Sequence, residues 1–259
     1  MIELAGAEGP GSMTESNTIA VTGASRGIGS AIARELLARG FRVAALSRKG
    51  KGVEDAKVDP GATDRLVPIA YDATDEASIR AGLRAAAEAD GLKGLVNNAG
   101  MHWQKPAVEV EAGAFQELME TNVLGTFLAC REAHPIFTAA GGGTIVNIGS
   151  YYERLGVREN SVYAASKAAI GALTRCLAIE WARDGIRVLD VAPGFIATDL
   201  NRSFREDERF MAHVERTVPT GRAGDPGEVA RLVAAIFVEG IDFLTGATIT
   251  IDGGHGVAL

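Results

Sequence analysis

The chain predicts a doubly wound α/β fold, one parallel sheet of seven strands with helices on both faces. Short apolar, β-prone runs alternate with longer helical patterns, the connections between them are short, and a glycine-rich turn joins the first run to the first helix. Strands are expected at 19–21, 42–46, 66–71, 94–97, 144–148, 187–191 and 247–251. Helices are expected at 28–39 (ended by Gly40), 76–89, 115–131, 163–183 and 226–238, with Gly141-Gly142-Gly143 as a turn into the fifth strand. These elements leave no room for a second domain, so 17–259 reads as one. Residues 1–16, with Gly9-Pro10-Gly11-Ser12, read as a flexible leader or expression remnant. The stretch 195–220 has mixed charge and weak periodicity and reads as a lid.

Composition narrows the class. The 259 residues carry 26 Lys+Arg against 33 Asp+Glu, a net charge of −7, without the basic stripe that nucleic acid would require. A hydrophobic share of 47 % and a charged share of 23 % suit a globular chain long enough to fold without disulfides or metal. Cys130 and Cys176 have no C-x-x-C partner and read as buried free thiols, and the four histidines are scattered, so no metal site is expected. No signal peptide is evident, and the apolar run 232–238 is too short to span a bilayer, so a cytoplasmic location is expected.

Thr22-Gly23-Ala24-Ser25-Arg26-Gly27-Ile28-Gly29 follows the first strand and opens the first helix. Glycines there permit a tight turn and close backbone approach, while the helix N-terminus offers free N–H groups and a positive dipole end. Together these can cradle a pyrophosphate.

With its Gly-x-x-x-Gly-x-Gly spacing, this turn resembles that of the short-chain dehydrogenase/reductases. So do Asn97-Asn98-Ala99-Gly100, Ser150, Tyr163-Ala-Ala-Ser-Lys167 and Pro193-Gly194, in order over about residues 17–254. The resemblance implies a Rossmann-type fold, a nicotinamide cofactor and hydride transfer between that cofactor and a ketone or secondary alcohol. It assigns cofactor contacts to Gly23, Ser25, Arg26, Gly27, Ile28, Gly29, Asn98, Ala99 and Gly100, with Asn97 and Gly100 shaping the turn by the adenine ribose. Pro193, Gly194 and Thr198 would close over the nicotinamide, with Ile196 meeting its carboxamide. Asp72 matches the position that bonds the adenine amino group, unless it only caps the next helix.

Ser47 stands where NAD-preferring relatives carry Asp, and Arg48 follows it. An acidic group there would accept from the ribose 2′-hydroxyl and repel a 2′-phosphate; a serine with Arg48 and Arg26 does the reverse. NADP(H) is expected, with NAD(H) as runner-up.

Tyr163 and Lys167, four apart, share a helix face. By the resemblance, Tyr163 exchanges the proton with the carbonyl oxygen, Lys167 lowers its pKa and binds the nicotinamide ribose, and Ser150 polarises the same oxygen. Asn122 is the helix-kinking residue holding a relay water. Tyr151 and Tyr152 lack a lysine four residues on. Asp190 departs from the pattern: a carboxyl in a central strand must find a partner or a solvated edge.

For substrate, 193–199 and 218–226 look like 3-oxoacyl-carrier-protein reductases. The arginines with which those enzymes dock acidic carrier protein fall here on Gly141 and Asp184, the latter of the wrong sign. The lid also resembles gluconate 5-dehydrogenases, so a small ketone or sugar acid is favoured over an acyl thioester. A sensor that holds NADP without turnover is the reading from another class. Pocket candidates are Met101, His102, Trp103, Tyr152, Arg154 and Phe195. The helix 163–183 is rich in small residues, and relatives pair it across a two-fold axis, so a homotetramer is expected, or a dimer.

Overall fold

The structure, a computed structural model, describes residues 18–54, 56–88, 90–198 and 208–258. The expected leader and positions 199–207 of the expected lid lie outside the described residues.

Strands β1 (Thr18–Thr22), β2 (Arg42–Ser47), β3 (Leu66–Ala70), β4 (Leu92–Asn97), β5 (Gly143–Ile148), β6 (Ile186–Pro193) and β7 (Thr248–Ile251) form one parallel sheet. Their order is β3-β2-β1-β4-β5-β6-β7. Burial on both faces explains why β1, β2, β4 and β6 read as near-continuous apolar runs instead of alternating.

The helices are α1 (Gly27–Ala38), α2 (Glu76–Glu88), α3 (Ala112–Met119), α4 (Gly125–Ala139), α5 (Ser161–Trp181), α6 (Glu208–Thr217) and α7 (Pro226–Val238). Helices α1 and α7 cover one face, where Ile32, Leu36, Val96, Leu189 and Val233 share a core. Helices α2, α4 and α5 cover the other, around Leu83, Leu95, Phe137, Ile145 and Leu177. By length and composition alone α5 could cross a membrane. Here Ile170, Thr174 and Leu177 are buried in the fold, so its apolarity is that of a core helix.

Two elements differ from expectation. The helix expected at 115–131 starts at Ala112 and reaches Ala139, with a π turn, Glu120–Leu124, joining α3 to α4. The expected lid contains α6, whose mixed charges hid it: Val214 is fully enclosed, with Val218 buried just beyond. Cys130 is buried as expected, but Cys176 is exposed on α5.

The chain leaves β1 toward β2 and later returns to place β4 on β1's other side. This reversal opens a crevice at the carboxyl ends of β1 and β4, where α/β sheets bind ligands.

Candidate active site

The glycine turn is fastened to the end of β4. Thr22 Oγ1 accepts from the backbone N–H groups of Asn98 and Ala99, both at 2.9 Å, and Asn98 Nδ2 donates to the carbonyls of Thr22 (3.0 Å) and Gly23 (3.2 Å). Gly23 has φ +65°, and a Cβ there would lie 2.9 Å from Asn98 Nδ2, so only glycine fits. Asn97, expected beside the ribose, instead points inward: its amide donates to Asn147 Oδ1 (2.9 Å) and contacts Cys130 Sγ (3.2 Å). Strand alternation sends neighbouring side chains to opposite faces, so it is the Asn98 side chain and not that of Asn97 that ties down the turn.

Arg26 occupies the N-cap of α1 without a side-chain capping bond, so the positive end of the helix dipole opens from the glycine turn. Ser25 and Ile28 flank the turn half-buried, and Gly29 is packed beneath it against Gly23 and Asn98. A Cβ at Gly27 would lie 3.8 Å from the Thr198 side chain, so the start of the lid approaches the turn. Ser47, buried at the end of β2, has an Oγ without a partner, and Arg48 and Arg26 are exposed. Asp72 accepts from Thr74 N (2.9 Å) and Thr74 Oγ1 (2.7 Å), bonds that hold its carboxyl below the usual range, with Arg48 adding a smaller pull. It does not cap α2; Asp75, which accepts from Ala77 N at 2.9 Å, stands there.

The chain leaves β6 through buried Pro193, and Gly194 N donates to Ile251 O at 3.0 Å. Ile196 then bridges to Gly224. Gly100 faces Asn122, whose Oδ1 would stand 3.1 Å from a Cβ at that position.

At the mouth of β5, Ser150 favours the Tyr163 phenolate, yet burial dominates and pushes Tyr163 up to about 12. Ser150 Oγ also accepts from Tyr152 N at 3.2 Å. Lys167 Nζ stands 5.6 Å from the Tyr163 ring centroid and donates to Ile148 O at 2.7 Å. Burial pushes Lys167 down to about 8, opposed by the charge of Asp190. Burial therefore sets the net direction at Tyr163, upward, where the spacing to Lys167 alone argued for a lowering.

Asn122 lies in the π turn, the kink its motif suggested. Its side chain clamps the loop after β4, accepting from Met101 N (2.8 Å) and donating to Met101 O (3.0 Å) and Ser166 Oγ (3.2 Å). Its backbone carbonyl accepts from Thr126 Oγ1 at 2.9 Å.

Rings line the approach to Tyr163. His102 lies 4.5 Å and Tyr152 5.8 Å from it, centroid to centroid. Tyr151 touches Tyr152 (4.6 Å), Phe195 (5.6 Å) and His255 (5.0 Å). Asn160 Nδ2 donates to Arg158 O at 2.8 Å, so its Oδ1 accepts from His102 Nε2 at 2.8 Å and fixes the ring. Trp103 is half-buried and, among the described residues, takes no part in the ring cluster; Arg154 is exposed, its Nε on Glu153 Oε1 at 3.1 Å. Tyr151, Asn160 and His255 are contributors that motif reading missed. The one signal for His255 was its glycine turn after the last strand.

A family model described as enoyl-(acyl carrier protein) reductase matches residues 23–256. The chain belongs to the short-chain dehydrogenase/reductase family. A tropinone reductase homologue of Arabidopsis thaliana is 35 % identical over 246 residues, 93 % of this chain and 92 % of that one. Galactitol 2-dehydrogenase (L-tagatose-forming) of Cereibacter sphaeroides is 37 % identical over 244 residues, 92 % and 94 % of the two chains. Among solved structures, a gluconate 5-dehydrogenase from Burkholderia cenocepacia in complex with NADP and tartrate superposes with a TM-score of 0.87 at 29 % identity, covering 94 % of this chain and 96 % of that one.

As a short-chain dehydrogenase/reductase, the chain is an oxidoreductase of CH–OH groups that uses a nicotinamide cofactor. Its crevice fits that group: a helix N-terminus opening from the glycine turn, a glycine that a Cβ would jam, and a buried Ser47 hydroxyl at the end of β2 that has no partner among the described residues.

Proposed function

We propose that this chain transfers a hydride between NADP(H) and the carbonyl or carbinol carbon of a small ketone, secondary alcohol or sugar acid. The observation carrying the reading is the meeting of Tyr163, Ser150 and Lys167 at the end of β5, beneath the rings of His102 and Tyr152. When bound, the nicotinamide supplies or accepts the hydride. Tyr163 gives its phenolic proton to the substrate oxygen in reduction and takes it back in oxidation. Ser150 donates to the same oxygen, preorganised by the backbone that places it just past β5. Lys167 brings a positive charge to the floor of the site, and Asn122 holds the Met101 loop against α5. Cofactor contacts are those at Gly23, Ser25, Arg26, Gly27, Ile28, Gly29, Ser47, Arg48, Asp72, Asn98, Ala99, Gly100, Pro193, Gly194, Ile196 and Thr198.

NADP(H) is supported by the residue types here: β2 ends on Ser47 and not on a carboxylate, Arg48 follows it, and both Arg48 and Arg26 of the glycine turn are exposed. His102, Tyr152 and Phe195 form the substrate wall. Arg154 turns to solvent on Glu153, which argues against its gripping a substrate carboxylate. A 3-oxoacyl-carrier-protein substrate is less favoured, because Asp184, held by His134 Nε2 at 2.9 Å, presents an acid where a docking cation is needed. A cytoplasmic homotetramer, or a dimer, suits α5, which carries exposed Ala165, Ala168, Ala172 and Ile179.

The test is a screen of ketones, sugar acids and acyl thioesters with NADPH and NADH. Consumption of NADPH by a small ketone or sugar acid is expected. Turnover of acyl thioesters alone would move the chain to the second reading, and binding of NADP without any turnover would make it a sensor.

A further inference from the structure

Asp190 occupies the middle of the site's floor and no family motif uses it. It lies on β6, paired in register with Asn147 of β5 and Thr248 of β7, and is wholly buried. Thr248 Oγ1 donates to Asp190 Oδ2 at 3.2 Å, while Asp190 Oδ1 finds no donor. Glu153 Oε2, on the turn after Ser150, is equally buried and equally without a donor. A buried carboxylate oxygen without a donor is costly, and here two lie side by side; one proton shared between them satisfies both. Backbone makes room for the pair. A Cβ at Gly149 would stand 2.7 Å from Asp190 Oδ2, and one at Gly171 would stand 2.8 Å from Glu153 Oε2.

We propose that Asp190 is a positioning residue for Lys167: the Asp190–Glu153 carboxyl pair is the buried counter-charge that keeps the Lys167 ammonium at the Ile148 carbonyl, under Tyr163. Helix α5 presents Lys167 to Asp190 and, past Gly171, Arg175 toward Glu153. The turn after β5 presents Glu153 and Arg154, and β7 offers only the neutral Thr248. Burial and the neighbouring Glu153 push Asp190 up to about 7. Below neutrality Asp190 therefore keeps its proton, and Lys167 has the weaker partner. Above neutrality Asp190 ionises just where Lys167, at about 8, would otherwise lose its charge. The pair thus extends the pH range over which an ammonium favours the tyrosine's phenolate.

This inference rests on the assignment of Tyr163 and Lys167 to proton transfer, so the test has two readouts. The first is the titration of Lys167 by NMR on protein labelled at the lysine side-chain nitrogen, which needs no turnover. The second is the pH profile of alcohol oxidation. In Asp190→Asn, Lys167 is expected to titrate at lower pH, and the rising limb of oxidation to move at least half a pH unit higher, with ketone reduction at pH 6 little changed. In Glu153→Gln the amide donates to Asp190 and removes the competing acid. Asp190 then ionises at lower pH, and the limb moves to lower pH. Opposed shifts from two substitutions at one pair are not what general damage to the fold would give. If Asp190→Asn fails to fold, Glu153→Gln still decides. Unmoved profiles, or the same uniform loss at every pH, overturn the proposal. A shifted Lys167 titration in a protein that turns over no alcohol would leave the counter-charge standing and remove the catalytic reading.

Discussion

Lys167 Nζ donates to the carbonyl of Ile148 across 2.7 Å, joining α5 to the last residue of β5. Two residues beyond Ile148 stands Ser150, which favours the Tyr163 phenolate. One short segment at the end of β5 therefore carries both the carbonyl that anchors Lys167 and the serine beside Tyr163.

Replacing Tyr163 with Phe removes the phenolic hydroxyl proposed to carry the proton while keeping the ring that packs on His102 and Tyr152. kcat/KM is expected to fall about 10²–10⁴-fold, the usual scale of general acid–base catalysis. Cofactor affinity, measured by fluorescence titration, stays within a few-fold. Retention of more than about a tenth of the rate would assign the proton to another group.

Lys167→Ala takes away the one positive charge beneath Tyr163, whose own burial already holds it near 12. Phenolate then becomes harder to form, so the oxidation profile moves to higher pH and cofactor binding weakens. A profile that overlays the wild type would separate the tyrosine from the lysine.

Cofactor choice is tested at the end of β2. Charge-assisted contacts to phosphate contribute about 1.5–3 kcal/mol each when partly desolvated, so exposed Arg48 and Arg26 should favour NADP over NAD by roughly 10- to 1000-fold in kcat/KM. Ser47→Asp with Arg48→Ala installs a repulsion and a ribose acceptor and should reverse the order. A wild type that already prefers NAD would make Arg48 a solvated loop residue.

Asp190 also gives stability a signed pH dependence. Its folded value, about 7, lies above the ordinary 3.8, so the fold binds the extra proton between those limits and loses that stabilisation as pH rises through 7. Urea denaturation at pH 5 and pH 8 should show the wild type losing ground to Asp190→Asn at the higher pH. A constant difference between the two proteins would mean that Asp190 does not titrate in this range.

Helix α7 begins with a capping box: the Asp225 side chain accepts from backbone N–H at the start of the helix, and Glu228 Oε2 accepts from Asp225 N at 2.8 Å. Asp225→Ala should cost about 0.5–2 kcal/mol, read as a Tm lower by about 1–8 °C for a domain of this size. Because α7 shares its core with α1, an unchanged Tm would mean the helix is held by packing alone.

What the sequence by itself determined was local or periodic. Strand–helix alternation dictated the parallel sheet, the glycine spacing dictated a turn at the end of β1, and the interval between Tyr163 and Lys167 dictated a shared helix face. Tertiary structure decided what depends on contacts between distant segments. It chose Asn98 over Asn97 to hold the glycine turn, brought His255 onto Tyr151, and set Glu153 beside Asp190. It also decided the sign at Tyr163, where the lysine spacing argued for a lowered pKa and burial raised it. Spacing along a chain fixes which face a side chain takes. Desolvation and the pairing of buried charges depend on everything packed around it, and no local pattern records that.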